Sequence, residues 1–281
     1  MGGALTEKTS QWKVAGASVI GKWHEAAGGR CEDAWASARQ QLLGGHEALA
    51  VCVSDGAGSA ANGWVGAQIV CRFLADWLVK NPNKAFCEDT DERQWAIVSA
   101  LKRVLRRAAL GRGADLKSYA CTIIAVLVTT EGKWLSVHLG DGGIVGLFDG
   151  FLRIVSAPRR GEFANETFFV TDNDAIDNII INGGGPGSKT PQPQAFALFS
   201  DGVEGSLVNR HTGEVCQVLL RVFDWLTNSE EADVTTALET NLRDVFRERS
   251  SDDCSLVIIV QQPCSGKSTD TPPPLQTGSD D

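Results

Sequence analysis

The chain has 281 residues, with 26 Lys+Arg against 35 Asp+Glu and a formal net charge of −9 at pH 7. That balance argues against a nucleic-acid-binding surface, whose affinity depends on clustered basic charge, and the length admits one large domain or two small ones. No apolar run approaches the ~18–20 residues that span a bilayer, and no basic start precedes an apolar stretch at the N-terminus, so the expectation is a soluble, cytoplasmic monomer with neither membrane nor nucleic acid as partner.

Residues 1–10 are polar and expected to be flexible, and the alternating residues of 12–21 predict a first strand. The run 48–54 (ALAVCVS) reads as a buried strand, short, Val-rich and closed by Asp55-Gly56. Apolar residues at Val65, Ile69, Val70, Phe73, Leu74, Trp77 and Leu78 give helical spacing over 63–80. A second helix is predicted at 91–110, with Trp95, Val98, Leu101, Val104 and Leu105 on its apolar side. Strand signals at 120–129, 134–139, 144–148 and 151–154 suit an antiparallel meander joined by tight Gly-containing turns. Residues 157–193, with Gly183-Gly184-Gly185 and prolines 186, 191 and 193, predict a mobile loop or flap whose strand opens at Asn165-Glu166-Thr167. A strand at 195–200, helices at 213–227 and 231–247 and a last strand at 255–260 follow. Strand runs broken by helix pairs indicate an α+β layered fold.

After Gln262 the chain turns to Pro, Ser, Thr, Gly and Asp, a composition that buries too little apolar area to offset chain entropy, so 263–281 is expected to be a disordered tail. It holds Ser265-Gly266-Lys267-Ser268, but Gln261 stands where a phosphate-binding P-loop needs its first glycine and no helix follows. The eight cysteines form no Cys-x-x-Cys pair, and Cys52, Cys71, Cys121 and Cys254 lie in or beside apolar runs as small reduced hydrophobes. His24, His46, His138 and His211 are far apart, which gives a zinc site no support. Any metal here is to be bound by oxygen.

Three apolar strands end alike: Ser54-Asp55-Gly56, Gly140-Asp141-Gly142 and Ser200-Asp201-Gly202, flanked by Glu32-Asp33 early and Asp252-Asp253 before the last strand. A carboxylate at a strand end is rigidly held at the edge of the core, so several such ends can converge on hard cations. Any single Asp-Gly reads more readily as a plain turn, and a hairpin competes most strongly at Asp141-Gly142-Gly143. The combination is what informs.

These five motifs, in this order over about 12–260, resemble the PPM-type (type 2C) metal-dependent Ser/Thr protein phosphatases, in their bacterial form. The resemblance implies an α-β-β-α sandwich of two antiparallel sheets flanked by helix pairs, occupying 11–262, and a centre of two Mn²⁺ or Mg²⁺ ions. It implies that Asp55 bridges the metals, that the carbonyl of Gly56 ligates one of them, and that Asp201 and Asp252 complete the other. Asp33 would hold metal-bound water, Asp141 with Asp201 would form a weaker third site, and Glu32 would ligate directly or through water. A hydroxide bridging the metals would then attack phosphoserine or phosphothreonine. The implied partners are phosphorylated proteins, among them a cognate Ser/Thr kinase or its targets.

The sequence departs from the family where Ala57 replaces a His after Asp55-Gly56, and where Arg30 precedes Asp33 by three residues, an unusual offset that leaves Arg30 open as a phosphate contact or an exposed loop arginine. His24 is a candidate replacement donor near the metals, and His138 reads as a sheet or core histidine. Two other readings stand beside the phosphatase: a pseudophosphatase binding module, and a two-metal hydrolase of small phosphate esters.

Overall fold

The computed structural model describes residues 11–158, 167–209 and 212–262; the segment 1–10, the tail with its P-loop fragment, Asn165-Glu166 of the predicted flap strand, and His211 lie outside the described residues. In chain order the elements are β1 (Trp12–Val19), α1 (Lys22–Ala26), β2 (Asp33–Gln41), β3 (Glu47–Asp55), α2 (Gly63–Lys80), α3 (Pro82–Ala85), α4 (Thr90–Gly111), β4 (Ile123–Thr129), β5 (Trp134–Leu139) and β6 (Gly143–Phe148). There follow β7 (Phe151–Ser156), α5 (Ala175–Asn178), β8 (Ile180–Gly184), β9 (Pro193–Phe199), α6 (Asp201–Leu207), α7 (Val218–Asn228), α8 (Glu231–Asn241) and β10 (Cys254–Gln261). They form two antiparallel sheets, ordered β1-β10-β9-β6-β7 and β2-β3-β4-β5-β8.

Strand periodicity builds the layers, because alternate side chains face opposite sides of a strand. In β3, Leu49, Val51 and Val53 face the other sheet, while Ala48, Ala50 and Cys52 face the helices; β4 divides the same way into Ile124, Val126, Val128 and Ile123, Ala125, Leu127. Val257 and Ile259 of β10 and Phe196 and Leu198 of β9 complete the layer between the sheets. There Trp134 and Phe196 pack at 5.5 Å between ring centroids, and Phe148 meets Phe196 edge-on at 5.9 Å. Helices α2 and α4 cover one sheet with Val70, Leu74, Leu101 and Leu105, and α7 and α8 cover the other with Leu219, Phe223 and Leu238. Asp89 caps α4 by accepting from the Glu92 N–H at 2.9 Å, which satisfies one of the free donors at a helix start. His138, buried on β5, shares a 2.6 Å hydrogen bond between its Nδ1 and Ser156 Oγ of β7, and so links the two sheets as a core histidine. Cys52, Cys71, Cys121 and Cys254 are buried free thiols, as the sequence predicts.

The structure differs from the sequence reading in five places. Strand β2 has no counterpart in it, because DAWASARQQ is poor in β-branched residues and its second half is exposed at the sheet edge. The four middle strands are not one meander: β4 pairs with β5 in one sheet and β6 with β7 in the other. Part of the predicted loop is ordered, since β8 pairs with β5, and a Cβ on Gly184 would come within 2.7 Å of Trp134 Nε1. The predicted helix at 213–227 starts at Val218, after a bridge between Val208 and Val215, and the last helix passes into a π turn at Leu242–Phe246. Finally, Trp95 is 60 % exposed instead of lying on the core side of α4.

Phe196→Ala removes the ring on which the inter-sheet layer closes and is expected to cost about 3–5 kcal/mol, read as a lower urea midpoint with unchanged slope. A midpoint equal to that of the wild type would contradict the packing described.

Candidate active site

The acidic residues reach one place because both sheets present strand ends at the same edge. Asp33 opens β2 and Asp55 closes β3, and the two are directly paired across the strands. Asp141 lies where the chain leaves β5 and crosses to β6 in the other sheet, which removes the hairpin alternative for Asp141-Gly142. Asp201 follows β9 at the start of α6, and Asp252 precedes β10. Around them is a cleft of 260 Å³ lined by Glu32, Asp55, Gly56, Asp141, Asp201 and Asp252, together with His24, Thr167, Phe169 and, at 72 % exposure, Trp23. Asp33 is buried behind Asp55.

Of the residues singled out from sequence, Arg30 is the one that the structure sets apart. Its guanidinium stacks over the Trp64 ring, 4.5 Å from the centroid, and it does not line the cleft. The three-residue offset from Asp33 turns it toward α2.

Hydroxyls and backbone groups hold the carboxylates. Asp55 exchanges backbone bonds with Thr122, whose N–H donates to Asp55 O at 2.8 Å and whose Oγ1 accepts from the Asp55 N–H at 2.9 Å. Ser200 Oγ donates to Asp33 Oδ2 at 2.6 Å and accepts from the Ser255 N–H at 3.0 Å. Thr167 Oγ1 donates to Asp141 Oδ2 at 2.6 Å. Asp253 accepts from the N–H groups of Gly21 at 2.6 Å and Glu32 at 2.5 Å, and its Oδ1 lies 3.0 Å from His24 Nδ1. Asp253, Ser200 and Thr122 were given no role from sequence, and Thr167 only one in a flap strand, although a serine precedes the aspartate at both Ser54-Asp55 and Ser200-Asp201.

The Asp-Gly glycines also have a cause other than a turn. A Cβ on Gly56 would lie 2.4 Å from the Gly63 carbonyl carbon, one on Gly142 2.6 Å from Phe199 O, and one on Gly202 2.0 Å from Asp253 O. None of the three has positive φ. They are glycine because backbone passes against backbone beside each aspartate.

Burial first, and then the charges of Asp33, Asp201, Asp252 and Asp141, push the Asp55 carboxyl well above its ordinary range. Asp33 is raised too, chiefly by burial, against the opposing hydrogen bonds from Ser200 and Ser255. Asp33 Oδ1 and Glu32 Oε2 are buried with no hydrogen-bond partner among the described residues. Crowded, desolvated carboxylates with spare oxygens need a proton or a cation, and an all-oxygen donor set suits Mg²⁺ or Mn²⁺. The residues therefore fit a metal centre. His24 resists protonation through burial, but its hydrogen bond to Asp253 and the charges of Asp253, Asp252 and Glu32 outweigh that and raise its pKa.

Residues 20–245 match the family model described as Protein phosphatase 2C. The chain belongs to the protein phosphatase 2C family. It is accordingly a serine/threonine protein phosphatase, in a metal-dependent family whose substrates are phosphorylated proteins. Serine/threonine-protein phosphatase 3 of Escherichia coli (strain K12) is 27 % identical over 204 residues, covering 70 % of this chain and 76 % of the relative. Among solved structures, the catalytic domain of the phosphatase PstP, in complex with two manganese ions, aligns with a TM-score of 0.58 at 18 % identity over 91 % of this chain and 100 % of that one. Stp1 of Staphylococcus aureus aligns with a TM-score of 0.56 at 14 % identity over 94 % of this chain and 100 % of that one. Both share the 2C sandwich described above.

The raised carboxyls fix the sign of a pH effect in the metal-free protein. Above the ordinary Asp value of 3.8 the unfolded chain has released protons that folded Asp33, raised to about 8, still holds. The contribution of this group to stability is therefore fully present below about pH 4 and is lost as pH rises toward 8. In EDTA the thermal midpoint at pH 7.5 is expected to lie below that at pH 5, Asp33→Asn to flatten the slope, and Mn²⁺ to restore the midpoint at pH 7.5. A midpoint in EDTA that climbs with pH would contradict the cluster's electrostatics.

Proposed function

We propose that the chain hydrolyses phosphoserine and phosphothreonine on proteins at a centre of two Mn²⁺ or Mg²⁺ ions. The observation that carries this reading is the convergence of Asp55, Asp141, Asp201 and Asp252, from four separate chain segments, on one cleft, with Asp33 set against Asp55 behind it. When bound, the two ions supply a deprotonated water as nucleophile and neutralise charge on the phosphoryl oxygens.

The chain's own residues divide the remaining work. Asp55 and the Gly56 carbonyl would hold one ion, and Asp55, Asp201 and Asp252 the other. Asp33 orients water from behind the cluster through the oxygen not taken by Ser200. Glu32 would add a carboxylate at the rim, and Asp141, fixed by Thr167, would offer with Asp201 a weaker third position. His24, a cleft-lining imidazole held by Asp253, protonates the departing seryl or threonyl oxygen, the part left open by Ala57. The natural substrates under this reading are a Ser/Thr kinase or its targets. No helix among the described residues is long and apolar enough to cross a membrane.

The test is hydrolysis of a phosphothreonine peptide with and without Mn²⁺ or Mg²⁺. Wild type is expected to release phosphate only with metal, and Asp55→Ala and Asp201→Ala to lower kcat about a thousandfold. A folded wild type that is inactive with both metals would favour the pseudophosphatase.

His24 is tested separately by leaving group. His24→Gln is expected to lower kcat about a hundredfold on the peptide and far less on p-nitrophenyl phosphate, whose phenolate departs without a proton. Equal losses on the two substrates would remove His24 from proton transfer.

A further inference from the structure

Helix α4 carries a surface that the active site does not explain. Between Arg93 and Ala114 the sequence has six of the chain's 26 basic residues and no Asp or Glu, in a protein of net charge −9. Trp95, Lys102, Arg106 and Leu110 are spaced by seven, four and four residues, so they share the outer face of the helix, with Arg103 beside them. Trp95 and Leu110 are 60 % and 80 % exposed, large apolar groups in water at either end of the stripe. Arg103, Arg106, Arg107 and Arg112 are exposed and make no ion pair among the described residues. Lys102 alone is committed: its Nζ donates to the Asp172 carbonyl, and Asp172 and Asp174 are the carboxylates that face it.

That commitment ties the stripe to the catalytic cleft. Asp172 Oδ2 accepts from the Phe169 N–H at 2.7 Å, and Phe169 and Thr167 line the cleft, with Thr167 holding Asp141. The basic face thus begins on the far side of one cleft wall. Arginines flanked by an exposed tryptophan match the composition of binding hot spots, and a positive patch on an acidic protein selects partners by charge complementarity.

We propose that the outer face of α4 is a docking site for an Asp/Glu-rich segment of the phosphoprotein substrate, engaged at a distance from the phosphorylated residue. Arg103, Arg106 and Arg107 take the carboxylates, and Trp95 and Leu110 cover apolar side chains among them. The partner role rests on the phosphatase reading above. The physical claim, that this face binds acidic polypeptide, stands independently of catalysis.

The experiment uses the full chain with Mn²⁺ and two phosphothreonine peptides, one with an Asp/Glu-rich segment and one with that segment changed to Asn/Gln. Wild type is expected to show about fivefold higher kcat/KM on the acidic peptide in dilute buffer, the advantage vanishing at 0.5 M salt. Arg103→Glu with Arg106→Glu is expected to abolish the preference through KM while leaving p-nitrophenyl phosphate hydrolysis unchanged. Arg103→Gln with Arg106→Gln repeats the test without charge reversal, and circular dichroism checks the fold of both. Fluorescence anisotropy of the unphosphorylated acidic peptide reads docking without turnover, so inactivity on every phosphate ester would overturn the catalytic reading and leave docking measurable. No acidic preference and no binding in wild type, or the same preference in both variants, would overturn the proposal. Binding of an RNA oligonucleotide or of phosphatidylserine vesicles through these arginines in place of the acidic peptide would overturn it equally.

Discussion

Asp33 and Asp55 face each other across adjacent strands at the buried end of a sheet, an arrangement that like charges oppose. Desolvation raises both carboxyls, and the neighbouring aspartates add to it. The fold accepts this cost where it is answered by hydroxyl donors, by protons or by cations. Most of what surrounds the cleft is an answer of the first kind: Ser200 on Asp33, Thr122 on the backbone of Asp55, Thr167 on Asp141. What the hydroxyls leave unanswered, the spare buried oxygens of Asp33 and Glu32, is a demand that a proton or a cation would meet.

The two-sheet architecture makes the crowding possible. Asp33 and Asp55 belong to one sheet, Asp201 and Asp252 adjoin strands of the other, and Asp141 occupies the passage between them. Apolar side chains lock the sheets face to face, so the strand ends cannot drift apart to relieve repulsion. Where main chain must pass close beside an aspartate, glycine removes the side chain that would hold it off, as at Gly56 and Gly202. Packing energy from the core is thereby applied to an electrostatically unfavourable cluster at its rim.

Much of this was legible in sequence because it rests on strong local signals. Helix α2 matches its apolar periodicity over the full predicted span of 63–80, and the Val- and Ile-rich strands β3, β4 and β10 match within a few residues. The aspartates were legible as an ordered set, as the resemblance to type 2C phosphatases anticipated. What was not legible depends on context. β2 is weak in β-formers and exists because it pairs along β3; Trp95 satisfies helical periodicity yet faces water; β5 and β6 look like a hairpin until their sheets are known. Arg30 has the right chemistry for phosphate, and only the fold shows that it stacks on Trp64. Asp253 reads as the neighbour of a ligand, and its function as an anchor appears only when Gly21 and Glu32 arrive beside it.

That anchor has a consequence for how the molecule tolerates change. Gly21 and Glu32, the two ends of the connection between the first two strands, are fastened by their N–H groups to the same carboxylate. The connection is a closed clasp, fastened inside as well by the Trp23 N–H to Ser251 O at 3.1 Å and by His24 on Asp253. Closure entropy grows only slowly with loop length, so residues inserted among Ala26–Gly29 would lengthen the clasp without displacing the aspartates. The loop between the two fastened ends can thus change in length while the acidic cluster beside it stays where it is.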